Sequence, residues 1–158
     1  MSKDILFHTT FAHETSKTWV VFVHGAGGSS AIWFRQLKAY KKEYNVLLLD
    51  LRGHGKSNNL VQNFVDNNYS FNKVSKDIID VLDHNNIPSA HFVGISLGTI
   101  LIRNIAEIAP QYVSSMVLGG AVTRFNTRSN TLVYLGNTFK HFLPYMWLYR
   151  LFAFIMMP

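Results

Sequence analysis

Residues 91–109 read HFVGISLGTILIRNIAEIA, and Pro110 follows. A short apolar run, HFV, enters Gly94-Ile95-Ser96-Leu97-Gly98 and leaves it as a stretch with helical apolar spacing. A G-x-S-x-G set between a buried strand and a helix is the arrangement that lifts a serine hydroxyl clear of a sheet. To do so the chain must turn sharply from strand into helix. That turn puts the serine in a strained backbone conformation and leaves no room for side chains two residues before and two after it. Gly94 and Gly98 meet this demand. The N–H of Leu97, at the start of the helix, faces the place where a tetrahedral oxyanion would develop over Ser96.

Outward from this turn the same unit recurs. WVVFV at 19–23 and VLLL at 46–49 are continuous apolar runs, the pattern of strands buried on both faces. Apolar residues at Trp33, Leu37 and Tyr40 predict a helix after Ser29 or Ser30, and Val74, Ile78, Val81 and Leu82 predict another from about Ser70. ILFHTTF at 5–11 reads as a first strand, VSSMVLGGAV at 113–122 as a last buried strand, and residues 52–68 as a polar loop. Strands alternating with helices predict an α/β fold, a mostly parallel sheet with helices on both faces.

The bend FVHGAGGSS at 22–30 needs a separate decision, because glycine-rich backbone at a helix start cradles either a phosphate or an oxyanion. The dinucleotide pattern G-x-G-x-x-G is filled by Gly25 and Gly27 but ends on Ser30, although Asp50 stands where a ribose-binding acid could. A Walker loop would need glycine where Asp50 stands before Gly55-Lys56-Ser57, and an acid there repels phosphate. The Ser96 turn favours the oxyanion. One donor is rarely enough for it, and the bend after the neighbouring strand offers the N–H of Ala26 as the second.

Three motifs in order, each behind a buried strand, resemble the N-terminal part of an α/β-hydrolase fold serine hydrolase over residues 18–125: His24-Gly25-Ala26-Gly27-Gly28, Asp50-Leu51-Arg52-Gly53-His54-Gly55-Lys56-Ser57, and 94–98. The resemblance implies acyl transfer on carboxylic esters or thioesters with Ser96 as nucleophile. It also implies that His24 and Gly25 support the oxyanion loop. A serine rather than an aspartate at 96 argues against the dehalogenase-like branch.

The resemblance implies a triad in the order serine, acid, histidine, and this chain departs from it. No Asp or Glu follows Glu107, and the single later histidine is His141. A serine without a base is a poor nucleophile, so the chain alone is expected to be nearly inert. His24 and His54 are candidate substitutes for the base, although the resemblance implies that they are structural and tie the oxyanion loop to its neighbour; His141 is the third candidate, and Asp50, read as a loop anchor, is the only nearby acid. The expectation is a chain that stops inside the cap, with 1–125 as the core and 126–158 as the start of the cap. The aromatic stretch at 139–147 suits either an ordinary packing helix or a lid over an apolar acyl chain. The strand at 113–119 would then be an exposed apolar edge, covered by a C-terminal half of the same fold or by a self-paired dimer. The rival reading is a non-catalytic binding module.

Composition narrows the rest. The 158 residues are 48% hydrophobic and 15% charged, which fits a globular domain rather than a disordered chain. The net charge of +6 comes from scattered basic residues, so no nucleic-acid partner is expected. The histidines show no metal-ligand spacing, and neither a metal nor a cofactor is expected. The absence of cysteine, the acids within residues 1–14 and the breaking of the apolar run 142–157 by Pro144 and Arg150 lead us to expect a cytoplasmic protein with no membrane span.

Overall fold

In the computed structural model, which describes residues 5–60, 70–121 and 134, Trp19–Val23 is the central strand of a five-stranded sheet. The strands are β1 (His8–Phe11), β2 (Trp19–Val23), β3 (Asn45–Leu49), β4 (Ala90–Ile95) and β5 (Val113–Gly119), in the order β1-β3-β2-β4-β5. β1 runs antiparallel to β3, and the other pairs are parallel. Helix α1 is Phe34–Tyr40, α2 is Phe71–His84 and α3 is Leu97–Ile108.

The continuous apolar runs follow from two cores that share one sheet. Val21 and Val23 of β2 pack with Leu47, Leu49 and Phe92 under α2 and α3, where Val74, Ile78, Val81, Leu101, Ile102 and Ile105 are buried. Val20 and Phe22 face the other way, onto Trp33, Val46 and Leu48, with Leu37 and Tyr40 of α1 against them. No position of β2 can therefore be polar. The helices sit on both faces, and the fold is α/β with a mostly parallel sheet.

Local differences from the sequence expectation have hydrogen-bond causes. The first ladder begins at His8 rather than Ile5, since the Phe7 N–H is donated to Ser57 Oγ at 2.8 Å. A 3-10 turn, Ser30–Trp33, precedes α1, and Ser29 makes no side-chain cap; the Ser30 N–H goes instead to Asp50 Oδ1 at 2.7 Å. The polar loop after Asp50 contains a second such turn, Gly55–Leu60, and its remainder, 61–69, lies outside the described residues. Ser70 caps α2 as expected, accepting the Lys73 N–H at 3.2 Å.

β5 is the outer strand of the described sheet, with Met116 41% and Val117 58% exposed, so the last apolar run stands here as the exposed edge expected of it. Contacts divide the chain into two units, Met1–Val122 and Thr123–Pro158. The expected cap, with 139–147 and His141, lies outside the described residues except for Tyr134. Among the described residues, no helix is long and apolar enough to cross a membrane.

The loop after β3 is pinned to α2 by a forked ion pair. Arg52 Nε and Nη2 donate to Asp77 Oδ2 and Oδ1 at 2.6 and 2.8 Å, and Asp77 is only 5% exposed. Lys73 approaches the same carboxylate at 3.6 Å from the surface. Removing one member of a buried pair leaves the other charge uncompensated. Asp77→Ala is therefore expected to cost about 3 kcal/mol in urea unfolding, whereas Lys73→Ala should stay within about 0.5 kcal/mol.

Candidate active site

The site is built where three parallel strands end. Between β4 and α3 the chain turns at Ser96 with φ 48 and ψ −117, a region that side-chain-bearing residues rarely enter. The flanking glycines explain how the turn fits. A Cβ on Gly98 would collide with the Val23 carbonyl oxygen, and one on Gly94 would collide with Ile102 Cδ1 and come within 3.0 Å of the Gly98 carbonyl carbon. Bare backbone at both positions lets α3 start directly against the end of β2. Thr99 holds that first turn, donating its N–H at 2.9 Å and its hydroxyl at 2.7 Å to the Ser96 carbonyl. On the other side the Ser96 N–H is donated to the Gly119 carbonyl at 3.1 Å. The Ser96 residue itself is exposed.

The bend after β2 lies against this serine. A Cβ on Gly25 would stand 3.2 Å from Ser96 Cβ and 3.4 Å from the Ile95 carbonyl oxygen. The bend is closed by the Gly28 N–H on the Gly25 carbonyl at 3.1 Å. Ala26 follows Gly25 at the exposed tip, and Leu97 follows Ser96 at the head of α3. Among the described residues, neither of these two N–H groups has a hydrogen-bond acceptor. The structure thus brings Ser96, Gly25, Gly94 and Gly98 together.

Two buried side chains, His24 and Asp50, tie the bend to the loop after β3. Leu51 N–H donates to His24 Nε2 at 3.0 Å, so the proton sits on Nδ1, which donates to the Gly25 carbonyl at 2.7 Å. Both ring nitrogens are engaged, and His24 is fully buried. It therefore holds the bend and is not a free base. Asp50 accepts the Ser30 N–H on Oδ1 at 2.7 Å and the Lys56 N–H on Oδ2 at 2.8 Å. His54 donates from Nδ1 to the Arg52 carbonyl at 3.0 Å, with its ring 5.3 Å from that of His24. The sequence signal for this clasp was a histidine and an aspartate at the ends of adjacent buried strands. Among the described residues, no three His, Asp or Glu side chains gather as a metal-binding group.

Both clasp residues are electrostatically perturbed. Burial lowers the pKa of His24 below its ordinary 6.5; the neighbouring His54 lowers it further, while the bond to Gly25 and the charge of Asp50 act against both. Burial alone would raise Asp50, but the N–H groups of Lys56 and Ser30 more than reverse this and hold it below 3.8.

Comparison with known proteins gives a consistent set of likenesses. A family model described as the alpha/beta hydrolase fold matches residues 18–146. The dihydrolipoyllysine-residue acetyltransferase component of the acetoin cleaving system of Pseudomonas putida is 37% identical over 101 residues, 64% of this chain and 26% of that protein. The 3-oxoadipate enol-lactonase 1 of Acinetobacter baylyi is 38% identical over 95 residues, 59% of this chain and 34% of its own length. The solved structure of Est816, described as an N-acyl homoserine lactone degrading enzyme, superposes with a TM-score of 0.67 at 21% identity, over 85% of this chain and 53% of that one. The chain thus spans between a quarter and about half of these three proteins.

Two measurements test this geometry. Unfolded His24 takes up a proton near its ordinary 6.5, and the buried imidazole does so only at lower pH. Stability should therefore fall as the pH drops below 6.5 and, through Asp50, fall again below 3.8. The urea midpoint followed against pH should show both phases, and His24→Asn should abolish the first while lowering the starting stability by about 1–3 kcal/mol. Separately, Ser96→Gly relieves the turn and is expected to raise stability by about 1 kcal/mol in urea unfolding; an unchanged or lower midpoint would show the turn to be unstrained.

Proposed function

Since the chain belongs to the alpha/beta hydrolase fold family, we propose that it is the nucleophile-bearing part of a serine hydrolase acting on carboxylic esters or thioesters through an acyl-enzyme. The observation that carries this reading is Ser96 at φ 48 with the backbone of Gly25 pressed against it. Strain of this kind persists where surrounding structure enforces it, and it clusters at reacting centres.

In this reading Ser96 Oγ bonds to the carbonyl carbon while its proton passes to a base, and the carbonyl π electrons move onto oxygen. The N–H groups of Ala26 and Leu97 receive that oxyanion. Its collapse expels the alcohol or thiol, which takes the proton back, and water then releases the acid by the same route. Enol-lactonase and homoserine lactone degradation are both named for cyclic carboxylic esters, which supports an ester carbonyl as the reacting group. Residues 1–125 would form the core and 126–158 the start of a cap whose aromatic stretch at 139–147 suits an apolar acyl part. The lack of cysteine fits the cytoplasm.

The base and its acid are not among the residues described around Ser96, and His24 is already engaged at both nitrogens. They would come from a further half of the same fold, which the span of the relatives supports, or from a second copy paired along β5. A second reading, a binding module without turnover, is favoured by the same engagement of both His24 nitrogens.

Intact mass after exposure to a fluorophosphonate, with Ser96→Ala as control, separates the two. Uptake of the label at Ser96 shows an activated serine, and supplying the missing base should speed uptake by about 10²–10⁴. A chain that stays unlabelled with every added segment is the binding module.

A further inference from the structure

We propose that Gly119, at the end of the outermost strand, is a positioning residue that sets the backbone of Ser96. The proposal deepens the acyl-transfer reading and rests on it for its catalytic meaning. A serine at φ 48 leaves that conformation unless held. Three contacts hold it: the backbone of Gly25, the two donors of Thr99 on the Ser96 carbonyl, and the Gly119 carbonyl on the Ser96 N–H. The first two come from the bend that follows β2 and from α3, and both β2 and α3 are packed into the core. The third comes from β5, whose residues Ser114–Met116 and Val117 are exposed.

The identity of residue 119 follows from its neighbour. Gly120 has φ 59 and needs glycine for its own conformation, but Gly119 is not among the glycines with positive φ. What crowds a side chain there is the facing strand. Ile95 and Gly119 are the last pair of the β4–β5 ladder, and a Cβ at 119 would stand 3.2 Å from Ile95 Cγ2. Ile95 directly precedes Ser96, so a push on it displaces the peptide that carries the Ser96 N–H. Glycine at 119 thus serves the serine, and the reacting turn takes one of its three supports from an edge.

Amide hydrogen exchange in the intact chain tests this without requiring activity. In Gly119→Ala the Ser96 amide should exchange about three- to tenfold faster, the loss of one hydrogen bond, while the amides of Phe92 and Val93 in the same strand stay unchanged. Adding Ile95→Ala removes the methyl that is pushed and should bring Ser96 back to within about twofold of Ile95→Ala alone. Unchanged Ser96 exchange in Gly119→Ala, a uniform rise along β4, or no recovery in the double variant overturns the proposal. If exchange responds as expected in a chain that takes no fluorophosphonate, the positioning stands and the acyl-transfer reading alone fails.

Discussion

The close approach of the first turn of α3 to the end of β2 is the constraint on which the rest of the site depends. It forbids a side chain at Gly98 and at Gly94, and it forces Ser96 into a conformation that costs about 1–3 kcal/mol. No local preference supplies that energy. It comes from packing: the two-faced burial of β2, with α2 and α3 on one side and α1 on the other, leaves the turn no alternative path. The core and the site are therefore one construction, and the strain at Ser96 is held by contacts whose apolar members lie far along the chain.

The second layer of support is polar and buried. His24 and Asp50 each sit at the end of a strand and use one polar atom on a backbone group of their own loop and the other on a backbone group of the neighbouring loop. A buried polar atom without a partner costs roughly 1–3 kcal/mol, so each bond is both a stabilising contact and a restriction on where the loop can lie. The bend that presents the Ala26 N–H is fixed by these two side chains. This accounts for a buried histidine in the bend beside Ser96 that has no free ring nitrogen.

The sheet is asymmetric in a way that bears on function. One edge, β1, is polar, short and antiparallel; the other, β5, is apolar and exposed, yet its last carbonyl holds the Ser96 N–H. An edge strand of this kind invites pairing. Any segment that pairs with β5 acts on a strand already coupled to the serine.

The sequence by itself determined the periodic features: the two-faced strands at 19–23 and 46–49, the helix face of Val74, Ile78, Val81 and Leu82, and the glycines around Ser96, because each is a local pattern of burial or close approach. The ion pair of Arg52 with Asp77 and the particular backbone groups that His24 and Asp50 hold were not legible, because they join residues distant in the chain. An apolar run reads the same at the centre of a sheet and at its edge, and a histidine reads the same as a base and as a clasp. Only the tertiary structure decides between them, because burial and hydrogen-bond partnership belong to the neighbours a residue acquires on folding.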